Sequence, residues 1–99
     1  MICCYILLSA KLNRHYIGIC QSDLQERIVK HNTHAYGDHR YTSKASDWQL
    51  LMCIETSTIS QARKIELHIK RMKSSTYIKN LTRYPEMIEK LKRQYMDKI

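Results

Sequence analysis

The chain predicts an α+β domain, with a small mixed or antiparallel three-stranded sheet flanked by helices. The order is strand, strand, helix, strand, helix, helix, with one more helix at the C-terminal end. Three observations carry this. Apolar runs of strand length occupy residues 2–9, 15–20 and 48–55. Elsewhere apolar residues recur at helical spacing. Only 2 glycines and 1 proline occur in 99 residues, which favours long regular elements over a loop-rich fold.

Residues 2–9 are rich in Ile, Leu, Cys and Tyr and stop at the polar stretch Lys11-Leu12-Asn13-Arg14. Residues 15–20 then read as the second strand of a hairpin. Gly18 weakens that strand unless the backbone bends or another group approaches closely. Ser22-Asp23-Leu24-Gln25 matches a capping box with Ser22 as N-cap. Leu24, Ile28 and His31 follow on one face of a helix to about Asn32, and Arg27, four residues before His31, projects beside it.

Residues 33–47 are polar and read as a long loop, a length associated with function or mobility. Residues 48–55 make the third strand. Residues 57–60 offer several N-caps for a helix to about Lys73, whose buried stripe is Ala62, Ile65, Ile69 and Met72. Glu66 is the only acid of that helix and lies next to the stripe. Ser74-Ser75 interrupts, and residues 76–81 read as a short helix. Pro85 suits the first turn of a last helix with Met87, Ile88, Leu91 and Tyr95 on its apolar face. Residues 1–82 are expected to form the main domain, with the helix of 83–99 packed on it or extending it.

A chain of 99 residues supports a single small core. Seven tyrosines and no phenylalanine mean that some tyrosines must serve the core. The formal net charge of +8 predicts an anionic partner: nucleic acid, an anionic membrane or an acidic protein. Cys3, Cys4, Cys20 and Cys53 contain no C-x-x-C pair and fall in apolar runs, as buried free thiols do in a reducing compartment. A cytoplasmic setting is expected, with no disulfide-linked partner and no zinc site. The first ten residues lack a basic leader and are too short to span a bilayer, so no membrane association is expected.

One constellation stands out in order and spacing. Tyr5 lies in the first strand, Tyr16-Ile17-Gly18 in the second, Arg27 and His31 on the first helix, and Glu66 on a later, basic one. The chain resembles the GIY-YIG nuclease domain over residues 2–81. Of the first motif, Cys3-Cys4-Tyr5 keeps only the tyrosine, while Tyr16-Ile17-Gly18 keeps the second intact. The family arginine falls on Arg27 and the family glutamate on Glu66. Ile19 stands where the excision-repair incision nuclease carries a lysine, so a basic group is missing there.

The resemblance implies a metal-dependent DNA endonuclease, structure-selective rather than sequence-specific, acting in repair or recombination. The alternative is a nucleic-acid-binding module of the same fold that cleaves weakly or not at all. Mg2+ or Mn2+ on Glu66 would neutralise developing charge, because magnesium tolerates one or two protein carboxylates and keeps its waters. Arg27 would hold the scissile phosphate. One of Tyr5 and Tyr16 would deprotonate or orient the water, a role that needs a nearby cation, and His31 would orient a tyrosine or contact phosphate. Arg63, Lys64, Lys70, Arg71 and Lys73 would contact the DNA backbone without reading sequence. Singly, these residues also suit plain roles: strand tyrosines, a solvated arginine, a core histidine, a Glu66–Lys70 pair.

Overall fold

The three apolar runs pair as one antiparallel sheet. In the computed structural model, which describes residues 1–37 and 41–97, β1 (Cys3–Ser9) lies between β2 (Arg14–Cys20) and β3 (Gln49–Glu55). It runs antiparallel to both. Successive side chains of a strand face opposite sides. Both sides of the central strand are covered, so Cys3, Tyr5 and Leu7 are buried on one face and Cys4 and Ile6 on the other. The hairpin turn passes through Asn13 at φ 52°, a left-handed conformation that asparagine tolerates.

The first face is covered by α1 (Leu24–Asn32). Leu24 and Ile28 pack with Cys3, Tyr5, Leu7, Cys20, Ala45 and Trp48. The cap of α1 is Asp23, one residue later than the sequence reading placed it. Its carboxylate accepts from the amides of Gln25 (2.9 Å) and Glu26 (3.3 Å). Aspartate and serine cap about equally well, but only the carboxylate adds a negative charge at the positive end of the helix.

The second face is covered by α2 (Ile59–Met72), α3 (Ser75–Arg83) and α4 (Pro85–Gln94). Ile65, Ile69, Ile78, Leu81 and Leu91 pack there against Cys4, Ile6, Met52 and Ile54. Thr58 caps α2 and Ser74 caps α3. Met72 does not complete the buried stripe: it is 45% exposed. It is the last residue of α2, where the chain turns through Lys73 at φ 48° and leaves the layer. With Ser74 as cap, α3 is longer at both ends than residues 76–81. Pro85 opens α4 as expected. The Gln61 side-chain amide donates to the Lys92 carbonyl at 2.8 Å, tying α4 to α2.

The segment read as a long loop is held at several points. Asn32 brackets Trp48, donating to its carbonyl (2.9 Å) and accepting its amide N–H (2.7 Å). The Asp47 carboxylate accepts from the Ser9 hydroxyl (2.6 Å) and the Lys11 amide (2.9 Å). Tyr41–Lys44 forms a short 3-10 helix, and the Trp48 indole N–H reaches back to the Thr42 carbonyl at 2.8 Å. Residues 38–40 of the expected loop and 98–99 of the expected C-terminal helix lie outside the described residues. The four cysteines are free. Among the described residues no helix is long and apolar enough to cross a membrane.

Candidate active site

The hairpin register brings the two tyrosines together. Tyr5 pairs with Gly18 and Leu7 with Tyr16, so Tyr5, Tyr16 and Gly18 share the α1 face of the sheet. The tyrosine rings lie 6.2 Å apart between centroids. The Tyr5 ring crosses directly over Gly18: a Cβ there would stand 2.7 Å from both Tyr5 Cζ and the Tyr5 hydroxyl, and 3.0 Å from Tyr16 Cε2. The glycine of the second motif therefore serves a close approach and not a bend. Gly18→Ala is expected to push the Tyr5 ring aside and destabilise the domain by about 1–3 kcal/mol, the usual cost of overpacking. Chemical denaturation would register it, and an unchanged midpoint would show that the ring has room to move.

From above, α1 contributes Arg27 and His31, one helical turn apart. His31 is 4% exposed and joins two elements. Its Nε2 lies 2.9 Å from the Tyr5 hydroxyl and its Nδ1 3.0 Å from the Thr42 hydroxyl. Its ring also lies 4.8 Å from Tyr16 and 4.9 Å from Tyr36 between centroids. Arg27 donates to the Tyr36 hydroxyl and to the Ile19 carbonyl, each at 3.1 Å. Its buried Nε has no hydrogen-bond partner among the described residues.

Electrostatics separates these groups. Burial first, then the neighbouring Tyr16, holds the Tyr5 phenol well above its ordinary range, outweighing the attraction of Arg27. Tyr5 therefore stays protonated at neutral pH. For Arg27, burial disfavours the charged form. The neighbouring Tyr5 and Tyr36 hydroxyls outweigh it and raise the pKa, so the guanidinium stays cationic.

Together these side chains line a cavity of about 140 Å³ bounded by Tyr5, Tyr16, Arg27, His31, Tyr36, Tyr41 and Thr42. Four of the residues singled out from the sequence meet there. Tyr36, Tyr41 and Thr42 were not foreseen, because they lie in the segment without hydrophobic period. Its length was the one hint that it had a role.

Glu66 does not line that cavity. It sits on α2, beside Ile65, on the opposite side of the sheet. Its carboxylate lies near Cys4, whose thiol is pushed up by burial first and by the Glu66 charge second. Glu66 Oε2 is 3.4 Å from Lys70 Nζ, with the carboxylate side chain 11% exposed. Among the described residues no three His, Cys, Asp or Glu side chains gather to hold a metal. A single carboxylate fits a hard cation that keeps most of its waters, as Mg2+ does, and does not fit zinc. The basic residues of α2 and its cap are all exposed. Lys64 pairs with Asp97 at 3.7 Å, while Lys70 and Lys73 line a separate groove.

A family model described as the GIY-YIG catalytic domain matches residues 1–80. No curated protein and no solved structure matches the chain.

Proposed function

The chain belongs to the GIY-YIG family of nuclease catalytic domains, and from that premise we propose that it is a divalent-metal-dependent DNA endonuclease, structure-selective and acting in repair or recombination. Nucleic acid is the substrate class of such a domain, and its nucleases are generally metal-dependent. The observation that carries the reading is Arg27: a half-buried, permanently charged guanidinium that lines the same cavity as Tyr16. A phosphate oxygen entering that cavity would pair with its charge.

In this reading Arg27 grips the scissile phosphate and keeps its charge as the transition state forms. Glu66 would hold Mg2+ or Mn2+, which supplies charge neutralisation and a water of lowered pKa when bound. Tyr16, half-buried on the cavity wall, orients the attacking water through its hydroxyl. Tyr5, 1% exposed and kept protonated, positions Tyr16 and His31. His31 in turn links Tyr5 to Thr42 and keeps the 3-10 helix against the site. The exposed cations of α2 attract the DNA backbone without reading its sequence. Residues 1–82 are the catalytic unit. α4 is its buttress, with Leu91 in the same core cluster as Ile69 and Ile78. Free thiols suit work in the reducing cytoplasm.

The test is cleavage of labelled single-stranded, nicked, flapped and branched DNA with Mg2+ or Mn2+, run beside Tyr16→Phe and Tyr5→Phe. The wild type is expected to cut branched or flapped substrates. Tyr16→Phe should lose about 100-fold or more in rate, as the loss of a group that positions the attacking water does, with its fold intact. Tyr5→Phe should lose less than about tenfold and mainly stability, by about 1–3 kcal/mol, because a buried His31 nitrogen loses its partner. Equal losses at both positions would overturn the division of roles. DNA retained on a gel without cutting would identify a binding module, and neither retention nor cutting would remove nucleic acid as partner.

A further inference from the structure

On the far side of β2 from the tyrosine cavity runs a second concavity of about 470 Å³. Neighbouring residues of this one strand face opposite ways: Tyr16 lines the cavity, while His15 and Ile17 line the groove. The groove also carries Arg14 from β2, Lys70 and Lys73 from the end of α2, and Ser75 at the start of α3. Among the described residues no carboxylate lines it. Among the described residues β2 is an edge strand, and no further strand covers that flank. Tyr41 lines both concavities and is 41% exposed, so the two meet at an aromatic ring.

We infer that this groove is a second phosphate-binding subsite, holding the DNA backbone that flanks the scissile bond so that the strand wraps over the edge of β2. The inference rests on the nuclease reading and deepens it. Three cations from two elements, without an acid among the lining residues, make an electrostatic channel for a phosphodiester chain. An exposed tyrosine between channel and cavity offers a face on which a base stacks. The ammonium of Lys79 adds to the field here: burial first and Lys79 second press the His15 imidazole towards its neutral form. The first turn of α3 adds amide donors that helix geometry leaves without intrahelical partners. The arrangement also explains how one strand could meet groups on both sides of the sheet. Lys70, which lines the groove, is the residue paired with Glu66 at 3.4 Å. Arg63 and Arg71, on the same helix, do not line the groove.

The experiment measures binding of a labelled flap DNA in EDTA, across a salt series, for the wild type and three double variants. Arg14→Gln/Lys73→Asn removes two groove cations, asparagine being chosen because Lys73 is left-handed. Arg63→Gln/Arg71→Gln removes two from the outer face of α2. Lys30→Gln/Arg83→Gln removes two elsewhere. The groove variant should lose about tenfold in affinity, and its slope of log K against log salt should fall by about 1.4–1.8, the release of two phosphate contacts. The third variant should lose less than about threefold in affinity. Wild-type binding by the groove variant, or a larger loss at Arg63 and Arg71, overturns the subsite while leaving the nuclease reading standing. Failure of the wild type itself to bind or cut DNA overturns both. If the double groove variant fails to fold, Arg14→Gln and Lys73→Asn are measured singly, each with a slope change of about 0.7–0.9.

Discussion

Glu66→Gln is expected to abolish metal-supported cleavage, by about 1,000-fold or more, while DNA affinity in the absence of metal stays equal or tightens. The change is isosteric and removes one negative charge beside the basic groove, so its effect on backbone binding has the opposite sign to its effect on catalysis. Glu66 is the only acid of α2, and a hard cation has little hold on a neutral amide. Stability should move by only about 0.3–0.5 kcal/mol, since the partner Lys70 is 48% exposed and such helix pairs contribute no more than that. Direct titration of Mn2+ against the free protein gives an independent readout, in which the variant should bind at least about tenfold more weakly. A variant that still cuts at the wild-type rate would remove Glu66 from the site.

Arg27→Ala should lower kcat/KM by about 1,000-fold, equivalent to about 4 kcal/mol of transition-state stabilisation. Most of that loss should lie in kcat, because the guanidinium is held by Tyr36 and the Ile19 carbonyl before substrate arrives. Arg27→Lys keeps the charge but not the planar fork, and should recover only part of the rate. Turnover unaffected by Arg27→Ala would reduce the residue to a structural link between α1 and the segment that follows it.

Much of this was legible beforehand. Three apolar runs became three strands within a residue or so of where they were read, because burial on both faces of β1 demands continuous apolar sequence. Helical spacing located α1, α2 and α4 and placed Arg27 beside His31. The misplacements have local causes. Asp23 outcompeted Ser22 as a cap through its charge, and Met72 lost its cover where α2 ends in a left-handed residue. Tyr36, Tyr41 and Thr42 entered the cavity unannounced, because irregular backbone carries no period and its path is set by distant ties such as Asn32 to Trp48.

Strand and helix type, the hairpin of the first two strands and the basic character of α2 follow from neighbours in the chain, where period and propensity act. What required the assembled fold was the side of the sheet on which each group lands. Periodicity places Glu66 next to the apolar stripe of α2 but cannot say which face of the sheet that stripe covers. That choice is made by long-range packing, which sets α1 against Tyr5 and α2 against Cys4. The same packing divides the charged and aromatic groups between a cavity and a groove with the edge of β2 between them.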